Sequence, residues 1–168
     1  MRAALGVVVS ALLLSGCVPS LSRAQAASSA QPAISNQVQI LPATRLAAIA
    51  DSLPHTAVGT VQLGRFEGLT NAVTSRDSAG IHERHENFTD IFVVQKGGAR
   101  LLTGGTAQGE RQTSPGEWRG GTIVGGSTAE LHPGDVVVIP AGIPHQMLLN
   151  PGERIVYLAF KVAKKPAP

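Results

Sequence analysis

The chain has 168 residues, of which 43% are hydrophobic, 15% charged and 4% aromatic, with 19 glycines and 11 prolines. That length holds one packed domain with a tail, and so many turn residues argue against a helical bundle and for a β protein. The 14 Lys and Arg against 11 Asp and Glu leave +3, one less once Arg2 is removed, with no basic stripe interleaved with aromatics; nucleic acid is therefore not an expected partner.

Residues 1–17 read as a targeting segment. Arg2 precedes an almost wholly apolar run from Ala3 to Leu14, too short for a spanning helix of about 20 residues. The run ends in Leu14-Ser15-Gly16-Cys17, which resembles a bacterial lipobox. The resemblance implies cleavage before Cys17 and acylation of that residue, and several acyl chains at ~0.8 kcal/mol per buried CH₂ would anchor the protein firmly. Val18, where an Asp would retain the protein at the inner membrane, implies the periplasmic side of the outer membrane. The alternative is an ordinary secretory signal with a cysteine near the cut. Cys17 is the only cysteine, so no intrachain disulfide is available and no thiol nucleophile remains in the domain.

Residues 18–36, rich in Ala, Ser, Gln and Pro, are expected to form a flexible tether. Residues 37–55 divide. Val38 to Ile40 is expected to be a short strand. Pro42 can open a helix, since its missing N–H costs nothing in the first turn. Leu46, Ile49, Ala50 and Leu53 then recur at i, i+3, i+4 and i+7, one helical face, and Pro54 stops it. This helix is expected to pack on the outside of the domain without chemistry of its own, with His55 solvated in the loop that follows.

From about Thr56 the period becomes two. Val58, Val61, Leu63 and Phe66 are expected in early strands, with further strands at Leu69 to Ser75, Ile91 to Gln95, Ala99 to Thr103, Glu130 to His132, Val136 to Ile139, Gln146 to Leu149 and Arg154 to Val162. In the last, Val156, Leu158, Phe160 and Val162 alternate with Ile155, Tyr157, Ala159 and Lys161, and one of these sets should face a core. Many short strands with Gly and Pro turns argue for a sandwich or jelly roll. Residues 104–126 carry three Gly-Gly pairs and Trp118, without the Gly-Lys-Ser/Thr of a phosphate loop. They read as a long hairpin with glycines at positive φ, or as a lid whose Trp118 and Arg119 touch a ligand. Residues 163–168 are expected to fray.

Two stretches carry candidate chemistry. Residues 80–98 contain His82, Glu83, His85, Asp90 and Gly97; residues 134–150 contain Gly134, Pro140, Gly142, His145 and Asn150. They resemble the two cupin motifs. The first motif is a His-x-His pair, an acid a few residues on and a Gly seven beyond it; His85, Asp90 and Gly97 fit, while Glu83 stands where the first His would be. In the second, Gly134, Pro140, Gly142 and His145 are in register and Asn150 falls one residue late. The resemblance covers about residues 56–162 and implies a cupin double-stranded β-helix, a jelly-roll barrel, behind the short N-terminal helix. It does not name a reaction, since one fold hosts many functions.

Residues two apart on a strand share a face, so Glu83 points with His85 and His82 points away, unless a bulge shifts the register. Asp90 begins the next strand and His145 enters from another, which gives Glu83, His85, Asp90 and His145 as the expected metal ligands. Two imidazoles with carboxylates suit a divalent Fe, Mn, Zn, Ni or Co, and a second carboxylate can ligate or serve as general base. His132 reads as a turn residue and Met147 as barrel core. Three readings stay open: a lipid-anchored periplasmic cupin acting on a small molecule, oxygenase- or isomerase-like; a binding or sensing barrel without turnover; and a structural barrel. An uncovered edge strand makes a homodimer an expectation as well.

Overall fold

Period-two segments become strands and the single 3.6-period segment becomes a helix. The computed structural model describes residues 32–164; the lipobox with Cys17, the signal segment and most of the tether lie outside the described residues. In chain order the elements are α1 (Ala43–Ser52), β1 (Val58–Phe66), β2 (Leu69–Arg76), β3 (Glu83–His85), β4 (Phe88–Gly97), β5 (Ala99–Thr103), β6 (Thr106–Gln108), β7 (Arg111–Ser114), β8 (Glu117–Arg119), β9 (Thr122–Val124), β10 (Ser127–Leu131), β11 (Val136–Ile139), β12 (His145–Leu148) and β13 (Ile155–Ala163). One sheet runs β1-β2-β13-β4-β11, a second β10-β5-β12-β3-β8-β7, and β6-β9 form a short ribbon. Both main sheets are antiparallel and bring together strands distant in sequence, such as β13 with β2 and β4, and β12 with β5, which is the jelly-roll arrangement expected. Among the described residues no helix is long and apolar enough to cross a membrane.

The interior is filled from both sheets: Val94, Ile155 and Tyr157 from one meet Leu101, Leu131 and Met147 from the other. Burial of such side chains is worth about 1.5–3 kcal/mol each. The helix forms as its spacing predicts. Ala50 and Leu53 are buried against Val73 and Val156, with Leu46 and Ile49 packed alongside. One set of β13 faces the core as expected, and the other is covered as well. Ile155 and Tyr157 face the barrel interior, while Val156 and Leu158 pack under α1; the helix covers what would otherwise be the solvent side of the sheet.

Two expectations are corrected. Val38 to Ile40 is not a strand; Val38 and Ile40 are 90% and 79% exposed. The segment touches the sheet through the Gln39 side chain, which donates to Leu63 O (2.7 Å) and accepts from Asn71 Nδ2 (2.9 Å). Those partners flank the bulge between Gln62 and Gly64, where no regular ladder is offered to a neighbouring backbone. At the other end, Ala163 pairs with Phe88 and Lys164 N donates to Asn87 O (2.8 Å), so the chain is held past Val162; residues 165–168 lie outside those described.

Candidate metal centre

Two tight turns place the ligands. At Gly97 φ is +71°, and a Cβ there would lie 1.9 Å from Arg154 O; only glycine lets β4 turn into β5 against the start of β13. The corner Pro140 to Pro144 is fixed to the first motif by one bond, Gly142 N to His85 O (2.7 Å). Strand β12 then starts at His145, opposite Glu83 of β3. The remote second motif thus delivers its imidazole beside the first.

All four expected residues meet. One ligand atom each from Glu83, His85 and His145 lie within 4.8 Å of one another, a group that can hold a metal ion. Asp90 Oδ2 is 3.2 Å from His85 Nε2 and 3.5 Å from His145 Nε2, and Glu83 Oε2 is 3.4 Å from His85 Nε2. His85, Asp90 and His145 are each at most 4% exposed. Parity held: Glu83 and His85 point to the site. His82 turns the other way, where its Nδ1 donates to Gly120 O (2.8 Å) and its Nε2 faces Glu110 Oε2 (3.6 Å). His132 is exposed beside Asp135, and Met147 is buried core.

The tautomers of both imidazoles follow from their partners. His85 Nδ1 donates to Glu117 Oε2 (2.7 Å) and His145 Nδ1 donates to Ile143 O (3.1 Å). With each Nδ1 committed to its own acceptor, each Nε2 faces the acidic groups and is the atom that takes either a proton or a metal ion. Both Nε2 atoms are buried and make no aligned hydrogen bond. A buried polar atom without a partner is costly, and a divalent ion would satisfy both Nε2 atoms at once in place of the proton on His85. The residues present therefore fit a metal.

The electrostatics agree. Burial alone would lower His85, but the Asp90 and Glu83 carboxylates push it up to about 9. Burial lowers His145 and outweighs the Ile143 carbonyl and the carboxylates. The pair thus holds one proton, on His85, between two acids. Against their own burial, Glu83 is held below the usual carboxylate range by His85, Arg119 and Arg76, and Asp90 by His85 and Lys161. Displacing that single proton by a cation keeps the carboxylates ionised.

The Gly-rich segment has a part that sequence reasoning only half found. It is the expected long hairpin, with positive-φ glycines at both levels of the stem. Its outer half folds back so that β8 pairs with β3, Glu83 opposite Arg119 and His85 opposite Glu117. Glu117 reaches His85, and Arg119 NH1 reaches Glu83 Oε1 (2.6 Å). Trp118 between them points away, under the Arg84 guanidinium (4.7 Å). The expectation that Trp118 and Arg119 both face a ligand is corrected; neighbours on a strand cannot share a face, and that rule was the available signal. Arg76, Tyr157 and Lys161 also belong to the site. Arg76 Nε donates to Tyr157 OH (3.2 Å), and Lys161 Nζ sits 3.2 Å from Asp90 Oδ1. Beside the four candidate ligands opens a cavity of about 170 Å³, walled by Phe92, Leu101, Met147 and Ala159.

Comparison with known proteins completes the description. No family model and no curated protein matches the sequence. Among solved structures the chain is similar to the cupin domain of Cnp3 from Schizosaccharomyces pombe (10% identity, 68% of this chain and 67% of that one, TM-score 0.49). It is similar to a cupin 2 conserved barrel protein from Rhodopseudomonas palustris (19%, 66% and 64%, 0.46) and to the polyketide cyclase RemF from Streptomyces resistomycificus (17%, 69% and 72%, 0.46).

Proposed function

We propose that the protein is an exported, lipid-anchored barrel that binds a divalent first-row metal ion through Glu83, His85, Asp90 and His145 and acts on a small molecule in the periplasm. One observation carries the metal reading: two buried imidazoles, each with its Nδ1 proton already committed, leave two unpartnered Nε2 atoms beside ionised carboxylates. The anchor rests on Leu14-Ser15-Gly16-Cys17. When bound, such a metal supplies a Lewis acid with positions open to a ligand.

The chain's own residues divide the remaining work. Glu83 is tethered at Oε1 by Arg119 and Arg76, which leaves Oε2 to face the site. Lys161 pairs electrostatically with Oδ1 of Asp90, while Oδ2 faces the two imidazoles. A carboxylate in that place serves as a fourth ligand, or as the base that receives a proton from a bound molecule. The apolar residues of the adjoining cavity lower the polarity beside the ligands and strengthen each electrostatic contact.

The test is the metal content of protein purified without tag or chelator, read by elemental mass spectrometry beside a His85→Ala/His145→Ala variant. Near-stoichiometric metal in the first and none in the second is the expected result. No metal in either, even after anaerobic reconstitution, overturns the proposal.

A further inference from the structure

With both imidazoles in the neutral form that ligates, the acids and cations around the site cancel. Glu83, Asp90 and Glu117 are matched by Arg76, Lys161 and Arg119, each acid in contact with at least one of these cations. Both imidazoles are neutral when they ligate. A divalent ion held there therefore brings two positive charges that no protein group offsets. An uncompensated charge away from water is expensive, so the cavity next to the ion is suited to an anion.

The cavity's other features narrow the anion. Arg76 and Lys161 both line it and stand on either side of the ligand group: Arg76 NH2 is 3.5 Å from Glu83 Oε1, and Lys161 Nζ is 3.2 Å from Asp90 Oδ1. Because Tyr157 OH accepts from Arg76, its own proton is free to be donated into the cavity. Guanidinium, ammonium and phenol are the donors that hold a carboxylate. Phe92, Leu101, Met147 and Ala159 supply apolar wall, which an organic body fills and an inorganic ion does not. The cavity holds about 170 Å³, which suits a small ligand rather than an extended one.

We propose that the ligand of this site is a small organic carboxylate, bound over the metal with Arg76, Lys161 and Tyr157 as its donors. The inference rests on the metal reading above. The assay separates the two. The full-length protein in detergent is first titrated with Co(II) by calorimetry. The Co(II)-loaded protein is then titrated with lactate and succinate, with the neutral lactamide and succinamide, and with inorganic phosphate, following the visible Co(II) absorption. At least one carboxylate is expected to bind about tenfold or more tightly than its amide and than phosphate, as a charge-assisted contact is worth. Lys161→Gln and Arg76→Gln should each weaken that carboxylate about tenfold, Arg76→Lys should recover part of the loss, and every variant is read at full Co(II) occupancy. Amide and acid binding alike, phosphate binding best, or no ligand binding to a Co(II)-loaded protein overturns the carboxylate inference while the metal reading stands. Failure to take up Co(II) at all overturns the metal reading and this inference with it.

Discussion

Glu117→Gln should weaken metal binding without unfolding the barrel. Glu117 Oε2 accepts the Nδ1 proton of His85 at 2.7 Å, from a strand that reaches the site only because the hairpin folds back onto β3. Glutamine keeps the length and an acceptor oxygen but loses the charge. A charge-assisted bond is roughly twice as strong as a neutral one, so the exchange costs the ligating imidazole about 1–1.5 kcal/mol of support. That is about tenfold in affinity, and outer partners of ligating histidines range over about 10–100-fold. The assay is competition for Zn(II) against a chromophoric chelator at pH 7.5, paired with the urea midpoint of the metal-free proteins. A tenfold loss of affinity with a stability change under about 1 kcal/mol is expected. Affinity unchanged within twofold would refute the reasoning. So would an affinity loss that merely tracks a collapse of the metal-free protein.

Other outcomes follow from the same geometry. Gly97→Ala puts a Cβ 1.9 Å from Arg154 O at a φ of +71°, so urea unfolding should show a loss of roughly 2 kcal/mol or more; a loss under 0.5 kcal/mol would contradict the turn described. Ile155 is fully buried between the sheets, and Ile155→Ala should cost about 2–5 kcal/mol by the same measurement. In chelator-treated protein His85 is raised from 6.5 to about 9. A group raised on folding stabilises fully below its unfolded value and loses that contribution as pH rises through the folded one. The stability advantage of wild type over His85→Gln should therefore be largest below about pH 6.5, fall between 6.5 and 9 and level off above 9; a constant difference across that range would show that the proton is not held as described. Leu53→Ala should loosen α1 by about 2–4 kcal/mol while leaving Zn(II) affinity unchanged, since the helix lies on the back of the sheet; a parallel loss of metal would tie the helix to the site.

The sequence by itself determined the local geometry and the candidate ligands. Alternation with period two marked the strands, because side chains on a strand face opposite sides whatever the tertiary contacts. The spacing of Leu46, Ile49, Ala50 and Leu53 marked the helix for a similar reason. Parity on β3 separated Glu83 and His85 from His82, and the Pro140–Gly142 corner ahead of His145 marked a second approach to the same place. Tertiary structure alone decided what lies around those ligands. Glu117 and Arg119 are 32 and 36 residues from the partners they hold, His85 and Glu83; that pairing depends on where a glycine-broken hairpin bends, and no periodicity encodes a bend. Nothing local singles out Arg76 or Lys161; both gain their place only when the fold closes a cavity that they line. Val38 and Ile40 had the composition of a strand but met a bulge instead of a ladder. The double burial of β13 came from a helix 100 residues away docking on its back. Chain-local rules fix which way a side chain points; what it points at is set by contacts between segments far apart in the chain, and those exist only in the folded molecule.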